Sequence, residues 1–479
     1  MISKEVLLEI TELRDIPGAR ILDFSGGSAG ISGVRIDSRL AGEGDLFAAL
    51  AGTKQDGHSF VAEAFEKGAA AALVCETKLD DPALGLAERA KKMGRILVAV
   101  PDTLRGLQDA ARLYVRKFPG LLKTALTGSN GKTTTRQIAA AIIGGEKNAV
   151  STPGNLNSET GLPLAVFGIR SHHEVGIFEM GMNRRGEIAE LARVLEPSVA
   201  LITNTGSAHI GILGSRGLIA EEKKAIFSRF SGTETALIPG GDEFTEFLAQ
   251  GVRGRVKIFG PASFAEWEGV RDLGLLGSEI RWAGKAVRFP LPGKHNLKNA
   301  LAAIALAREA GAGDEAIRRG LESVEPLFGR SEIIEGPVTV VCDCYNSSPQ
   351  SSAEALAFCD GLEWTGRKVY VLGSMLELGD HAPEAHANIG RALAASGADM
   401  VLLFGEEMEA AAEVLRQGGS KAYYYTRNMA ELAGALEMYV RPGDLVLLKG
   451  SRGNALEQLS GALTKAGERA AVPAGKGVC

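Results

Sequence analysis

The chain has 479 residues, of which 45% are hydrophobic and 23% are charged, and its formal net charge is −5. This composition excludes a wholly disordered chain, and the length predicts about two to four domains. The near balance of 58 acidic and 53 basic residues excludes the basic surface that binds nucleic acid. No apolar run approaches the roughly 20 residues that cross a bilayer, and the charged N-terminal stretch excludes a signal peptide. We therefore expect a soluble cytosolic protein with no membrane span.

The predicted elements divide the chain into three blocks. Residues 1–100 hold short strands and loops, and a helix is predicted over 101–118. From about 120 to 325, short apolar runs alternate with helical patterns, and from about 326 the alternation restarts. This alternation is typical of parallel sheets with crossover helices, whose ligands lie beyond the carboxyl ends of the strands. The sequence therefore predicts an α/β protein with three domains over 1–100, 101–325 and 326–479.

The stretch TGSNGKTTT follows an apolar strand and precedes an alanine-rich helix. The Walker pattern has about four residues between its glycines, whereas only Ser129 and Asn130 separate Gly128 from Gly131. Backbone amides and the helix N-terminus would face an anion there, and Lys132 would add a positive charge. We interpret the stretch as a phosphate site rather than a plain strand–turn–helix joint.

Two further candidates follow neighbouring predicted strands. Glu179 ends one apolar run in FEMGMNRRGEI, and His209 lies just past the next run in ITNTGSAHIGILGS. A carboxylate and a neutral imidazole beside a phosphate loop could hold a divalent metal ion. Thr133 or Thr134 could add a hydroxyl ligand to Mg²⁺.

Five stretches occur in the order seen in the Mur ligases, which this chain resembles over nearly its whole length: TGSNGKTTT, STPGNLNSETGLPL, EMGMNRRGEI, NTGSAHIG and PGKHNLKNALAAIA. Mur ligases are ATP-dependent enzymes that add amino acids or dipeptides to the peptidoglycan precursor, and their phosphate loop has the short form T-G-x-x-G-K-T. The resemblance implies a small α/β UDP-binding domain, a central P-loop mononucleotide-binding domain with a parallel sheet, and a C-terminal Rossmann-like domain.

Other stretches narrow the substrate within the family. The stretch at 37–74 resembles the UDP-binding domain of the third and last peptide-adding members. LGSMLELGDHAPEAHANIG and LKGSRGNALEQL resemble the last member, and the D-N-P-R motif of many diaminopimelate-adding members is absent. The resemblance thus implies ATP and Mg²⁺ as cofactors, and UDP-N-acetylmuramoyl-tripeptide and D-alanyl-D-alanine as substrates joined through an acyl phosphate. We expect a monomer acting in the cytoplasm.

The resemblance also implies roles for matching residues, taken one motif at a time. The residues expected to bind ATP are Gly128, Ser129, Asn130, Gly131, Lys132, Thr133, Thr134, Asn299, Arg330 and Asp343. The expected metal ligands are Thr133, Glu179, His209 and Lys223 as a carbamate. Lys132, Lys223 and His209 are the expected catalytic residues. The candidates near the UDP moiety are Ser38, Arg39, Gly57 and His58.

Two motifs need closer inspection, one because it contains two lysines and the other because it departs from the family pattern. In EEKKAIF, the family's carbamylated lysine lies four residues before the aromatic, which selects Lys223 over Lys224. Because negative neighbours favour an ammonium, we expect Glu221 and Glu222 to face solvent. In CDCYNSSP, Ser348 stands where the family has asparagine, so the resemblance assigns that position no role.

Three alternatives remain at this point. A diaminopimelate- or lysine-adding Mur ligase keeps the chemistry and changes the added group, but the C-terminal stretches argue against it. A folylpolyglutamate synthetase would lack the UDP-type N-terminal block. A nucleotide-regulated binding protein without ligase activity would need neither the metal pair nor the lysine.

Overall fold

The computed structural model describes residues 5–26, 30–52 and 54–468. The N-terminal part contains the following elements: β1 (Leu8–Glu9), β2 (Arg20–Asp23), β3 (Gly30–Ile31), β4 (Gly33–Arg35), β5 (Asp45–Ala48), α1 (Val61–Glu66), β6 (Ala71–Cys75), α2 (Leu86–Met93), β7 (Ile96–Val100) and α3 (Thr103–Arg116). Five of its strands form a sheet in the order β2-β7-β6-β5-β4, in which β2 is antiparallel and the other pairs are parallel.

The central part begins with β8 (Leu122–Thr127), α4 (Lys132–Gly144), β9 (Ala149–Ser151), α5 (Gly161–Val166), β10 (Val175–Glu179), α6 (Glu187–Leu195), β11 (Val199–Ile202), α7 (Ile210–Leu213) and α8 (Arg216–Lys224). It continues with β12 (Thr235–Pro239), α9 (Thr245–Ala249), β13 (Arg255–Phe259), β14 (Trp267–Asp272), β15 (Ser278–Trp282), β16 (Lys285–Phe289), α10 (Lys294–Glu309) and α11 (Asp314–Glu322). Six strands form a parallel sheet in the order β13-β12-β11-β8-β10-β9, and β14-β15-β16 form a small antiparallel sheet.

The third part contains β17 (Glu332–Ile334), β18 (Thr339–Asp343), α12 (Pro349–Gly361), β19 (Lys368–Gly373), α13 (Ala382–Ala395), β20 (Met400–Phe404), α14 (Glu409–Gly418), β21 (Tyr423–Thr426), α15 (Met429–Tyr439), β22 (Leu445–Lys449) and α16 (Ser460–Glu468). Its sheet has the order β17-β18-β22-β19-β20-β21, with only β17 antiparallel among the described strands. The predicted mixed α/β architecture is confirmed.

Helix α3 connects the first two sheets. The side chain of Asp102 caps its first turn by accepting a hydrogen bond from the backbone N–H of Arg105. Its buried face includes Leu107 and Tyr114, and these residues belong to one apolar core with residues of both the N-terminal and central parts. The boundaries near 100 and 325 stay predictions. Among the described residues, no helix combines the length and apolar character that spanning a membrane requires.

The carboxyl ends of the central strands carry the predicted site. β10 and β11 are buried along their whole length, as expected for parallel strands covered by helices on both faces. The loop after β8 begins at Gly128, β10 ends at Glu179, and the chain after β11 leads to His209. The carboxyl ends of β18 and β22 in the third sheet, Asp343 and Lys449, line the same cavity. Two sheets therefore present their ligand-binding edges to each other.

Candidate functional site

A cavity of about 410 Å³ lies between the central and third parts. It brings together most of the residues predicted to bind ATP or metal: Ser129, Asn130, Gly131, Lys132, Thr133, Thr134, Glu179, His209, Asn299, Arg330 and Asp343. The residues Gly128 and Lys223 lie outside its lining. The predicted nucleotide residues therefore share one crevice, although they come from several loops of two sheets.

Close contacts hold the phosphate loop in place. The backbone N–H of Asn130 donates to the side chain of Asn204, and the carbonyl of Asn130 accepts from Thr203 and Asn204. Gly131 has φ = 80° and starts helix α4, and a Cβ there would lie 2.1 Å from Oδ1 of Asn299. Only glycine both adopts this left-handed backbone readily and leaves room for the side chain of Asn299. Asn299 thus supports the loop as well as lining the cavity.

Lys132 bends back over the loop. Its Nζ donates to the carbonyl of Gly128 at 2.8 Å. Burial lowers the pKa of Lys132 and Arg330 acts in the same direction, whereas the carboxylate of Glu179 raises it. The charges of Lys132, Arg330 and Glu179 therefore lie close enough to interact. The two positive charges would attract an anionic ligand strongly in this small volume.

The carboxylate of Glu179 is buried, and only one of its two oxygens accepts hydrogen bonds from the described residues. Its Oε1 accepts from Asn157 at 2.7 Å and from Thr133 at 3.3 Å. Its Oε2 accepts no hydrogen bond from the described residues, and the nearest cation, Nε of Arg136, lies 3.5 Å away. A buried carboxylate oxygen without a donor is costly, and a hard divalent cation is a fitting partner for it.

His209 has a left-handed backbone, with φ = 65°, immediately before helix α7. Its Nδ1 lies 2.9 Å from a carboxylate oxygen of Glu377, which comes from the third part. No group of three or more histidine, cysteine, aspartate or glutamate side chains in the described part of the chain could hold a metal by itself. Glu179 and His209 fit a metal site only if a further ligand, such as a carbamate or a phosphate oxygen, completes it.

Lys223 is buried, with 1% of its surface exposed, near the end of helix α8. Burial holds its pKa well below the usual lysine range, and the charge of Lys132 acts in the same direction while Glu222 opposes it. Its only polar contact among the described residues is a 4.0 Å approach to the sulfur of Met182. A neutral amine is the form that reacts with CO₂, so this environment suits the predicted carbamate.

The two neighbouring glutamates differ. Glu221 is exposed beside Arg185, as predicted. The prediction for Glu222 was wrong: it is buried and accepts hydrogen bonds from the backbone N–H groups of Gly186 and Ile188. It thereby satisfies donors at the start of α6, where a negative charge also complements the helix dipole.

Lys224 lies apart from the cavity. Its Nζ donates to the carbonyl of Phe247 at 2.6 Å and lies 4.5 Å from the centre of the Phe247 ring. This lysine therefore ties α8 to α9, while Lys223 is turned inward. The structure separates the two lysines in the way that the spacing within EEKKAIF predicts.

The third part contacts the phosphate loop directly. Arg330 donates to Oγ1 of Thr133 at 3.1 Å and lies 4.2 Å from the centre of the Tyr345 ring. Ser348, which the resemblance left without a role, donates to Oδ1 of Asn130 at 3.2 Å. It also caps helix α12. A serine at this position still joins the two sheets, although its side chain is shorter than asparagine.

Asp343 is held by the third part itself. Its Oδ2 lies 2.8 Å from Nζ of the buried Lys449, and its Oδ1 accepts from the backbone N–H of Ser331. Lys449 ends β22 beside β18. The rule that selected Glu179, a polar residue at the carboxyl end of a buried strand, could have found Lys449.

Other residues at the site were also missed. Asn157 orients Glu179, and its stretch STPGNLNSETGLPL was recognised only as a whole. Glu377 lies in LGSMLELGDHAPEAHANIG, which was also recognised only as a whole, and its contact with His209 forms only through the packing of two sheets.

The N-terminal candidates occupy a different environment. His58 is buried, its Nδ1 lies 2.5 Å from Asp56, and its Nε2 accepts from the backbone N–H of Cys75. Both ring nitrogens of His58 thus have partners within the fold, and its place near the UDP moiety stays a prediction. A Cβ at Gly57 would lie 2.6 Å from the carbonyl oxygen of Leu50, so this glycine permits a close backbone approach.

The other two candidates differ in burial, since Ser38 is buried and Arg39 is exposed. Ser38 donates to a carboxylate oxygen of Glu63 at 2.7 Å. Arg39 pairs with Asp37, yet its side chain remains 79% exposed. The described contacts leave Arg39 the freest of the four to meet an anionic ligand.

Comparisons with known proteins agree with this architecture. Family models match three successive parts of the chain: the Mur ligase family catalytic domain over 30–114, the Mur ligase middle domain over 126–307, and the Mur ligase glutamate ligase domain over 329–452. The chain belongs to the Mur ligase family. It is 45% identical over 452 residues to UDP-N-acetylmuramoyl-tripeptide–D-alanyl-D-alanine ligase of Treponema pallidum, a match that covers 94% of this chain and 97% of that protein.

More distant relatives and solved structures agree. The enzyme of the same name from Bacillus subtilis is 34% identical over 90% of this chain and 92% of its own length. The crystal structure of MurF from Acinetobacter baumannii superposes with a TM-score of 0.85 at 28% identity, covering 95% of this chain and 98% of that one. MurF from Thermotoga maritima, solved in complex with ADP, has a TM-score of 0.76 at 27% identity, with coverage of 91% and 98%.

Proposed function

We propose that this chain is an ATP-dependent ligase that adds D-alanyl-D-alanine to UDP-N-acetylmuramoyl-tripeptide during peptidoglycan precursor synthesis. The observation that carries the proposal is the shared cavity, which brings together the short phosphate loop, Glu179 and His209, and Arg330 from the third part. Whole-length similarity to enzymes named for this reaction supports the same substrates. ATP and UDP-linked precursors are both cytoplasmic, so the proposal places the reaction there.

The proposed reaction has two steps, and Lys132 and Arg330 assist the first of them. The tripeptide carboxylate attacks the γ-phosphate of ATP, which forms an acyl phosphate and releases ADP. The approach of these two anions is opposed by their charge. Lys132 and Arg330 reduce that repulsion and stabilise the charge that develops on the transferred phosphoryl group. The amine of the dipeptide then attacks the acyl phosphate, which gives the amide and releases phosphate.

The proposed ligands of Mg²⁺ are Glu179, His209, Thr133 and a carbamate on Lys223. The free oxygen of Glu179 and the low pKa of Lys223 support this assignment. A divalent cation bound there would offset the negative charge of the phosphates. Contacts from Arg330 and Ser348 to the phosphate loop let the third part cover the site. Such cover protects an acyl phosphate from water.

Phosphate release from ATP tests the proposal. We expect release only when UDP-tripeptide and D-alanyl-D-alanine are both present with Mg²⁺. Replacing the dipeptide by diaminopimelate or lysine, with the matching UDP-dipeptide acceptor, tests the alternative family members. Release that needs neither peptide substrate would contradict the proposal. Sedimentation at the assay concentration tests the accompanying proposal that the enzyme is a monomer.

A further inference from the structure

One loop of the third part makes an unusually close contact with the central part. This docking loop, residues 374–381, follows β19 and meets the start of helix α7. The backbone N–H of Gly211 donates to the carbonyl of Glu377 at 3.2 Å. A Cβ at Gly211 would lie 2.4 Å from the backbone nitrogen of Gly379, so only glycine allows this approach.

The backbone on both sides of the contact is strained. His209 and Glu377 each have φ = 65°, in the left-handed region that residues with a Cβ rarely adopt. Such a conformation is energetically costly, and strain of this kind persists where surrounding contacts enforce it. The two strained residues face each other across the boundary between the central and third parts.

Their side chains meet as well. Nδ1 of His209 lies 2.9 Å from Oε2 of Glu377. Nε2 of His209 makes no hydrogen bond to the described residues, and the residue lines the cavity that contains Glu179. One ring nitrogen thus faces a carboxylate of the docking loop while the other remains available to a ligand.

We propose that Glu377 is a positioning residue that orients His209 for the divalent cation, an inference that rests on the proposed function of the cavity. Histidines that bind metals commonly donate their second N–H to a carboxylate, which fixes the tautomer and the ring orientation. Because Glu377 belongs to the third part, this metal ligand reaches its working orientation only when the docking loop is seated on α7. Docking of the third part and assembly of the metal site are thereby coupled.

The contact is suited to this role and contributes little to stability. The Glu377 side chain is 55% exposed, and a polar contact with that much access to solvent adds little to the free energy of unfolding. Replacing Glu377 therefore leaves the fold in place. Its effect should appear in metal binding, where loss of such a supporting carboxylate typically costs about 10–100-fold in affinity.

Mn²⁺ is a direct probe, and its affinity for the full-length protein can be measured by electron paramagnetic resonance with a non-hydrolysable ATP analogue. We expect Glu377→Ala to weaken Mn²⁺ binding by about tenfold or more. Glu377→Gln should retain most of the affinity, because its amide oxygen can take the place of the carboxylate oxygen that faces Nδ1. Glu377→Asn should behave like Glu377→Ala, since asparagine tolerates the left-handed backbone but is too short to reach His209.

The control is Asp380→Ala, which removes an equal charge from the same loop and should leave Mn²⁺ binding unchanged. The decisive test combines Glu377→Ala with His209→Ala: if Glu377 acts through His209, the double variant binds no more weakly than His209→Ala alone. Additive losses, or unchanged affinity in both Glu377→Ala and Glu377→Asn, would overturn the proposal. Phosphate release by the unaltered protein tests the ligase function separately, because Mn²⁺ binding requires neither peptide substrate.

Discussion

The central cavity and the N-terminal part use buried polar groups in opposite ways. In the cavity, Oγ of Ser129, Nδ2 of Asn130 and Oε2 of Glu179 are buried without partners among the described residues. In the N-terminal part, both ring nitrogens of His58 have partners within the fold, as has the hydroxyl of Ser38. An unsatisfied buried polar group costs about 1–3 kcal/mol. A cluster of them indicates a ligand site, whereas satisfied groups indicate structure.

This difference predicts opposite consequences of mutation in the two regions. Polar residues of the cavity should affect turnover with little effect on stability. Polar residues that are satisfied inside the N-terminal part should affect stability with little effect on substrate binding.

The largest effect is expected at Lys223. Lys223→Ala should abolish measurable turnover, because it removes the group proposed to become a metal-binding carbamate, and acetate should restore part of the rate. Lys224→Ala is the matched control and should remain close to the unaltered rate, since Lys224 bonds to Phe247 outside the cavity. Initial rates of phosphate release and thermal melting measure both effects. An inactive Lys224→Ala, or a fully active Lys223→Ala, would mean that the wrong lysine has been assigned.

Lys132→Ala is expected to lower turnover by about 10²–10³-fold, which is typical when one electrostatic contact to the transition state is lost. The melting temperature should change little, because Lys132 bonds only to the carbonyl of Gly128 among the described residues. Lys147→Ala, just beyond the far end of the same helix, controls for loss of a positive charge. Normal turnover in a folded Lys132→Ala variant would remove the phosphate loop from the mechanism.

His58→Ala tests the N-terminal side of the comparison. It should lower the free energy of unfolding by about 2 kcal/mol, because it removes a buried ring that serves two partners. The KM for the UDP-linked substrate should not change in the folded variant. Arg39→Ala should do the reverse, raising KM at a constant melting temperature, because its side chain is largely exposed. A raised KM with normal stability in His58→Ala would contradict this expectation and assign the residue to substrate binding.

The smallest effect is expected at Glu196, which joins α3 to the central part. Burial opposes its ionisation, but hydrogen bonds from Arg116 and Arg112 dominate and lower the pKa of Glu196 from 4.5 to about 2. Its stabilisation is therefore fully present above pH 4.5 and lost as the pH falls through about 2. Glu196→Gln should cost about 1 kcal/mol at neutral pH after allowance for solvent screening.

Thermal melting of both proteins from pH 7 towards pH 3 measures this effect. The difference between them should be constant at higher pH and should shrink once the pH falls below 4.5. A difference that grows as the solution is acidified would contradict the assignment of an ionised Glu196 at this joint.

Local patterns were sufficient for much of the fold and of the site. Buried parallel strands give nearly continuous apolar runs, so β10 and β11 and the residue Glu179 at a strand end could be located from the sequence. The resemblance located Arg330 and Lys223. The burial of Glu222 was missed because its partners, the amides at the start of α6, lie on another helix. The partners of His58 within the fold were missed for a related reason: a short motif does not distinguish a ligand contact from a structural hydrogen bond.

The sequence by itself determined the strand-and-helix alternation, the short phosphate loop and the family, because these depend on residue order and on local backbone demands such as that of Gly131. Only the tertiary structure decided which polar groups are satisfied and which remain free. It turned Lys223 inward and Lys224 outward, and it brought Glu377 to His209. The physical reason is that burial and hydrogen-bond partners are properties of packed surfaces, and those surfaces form only when distant segments of the chain meet.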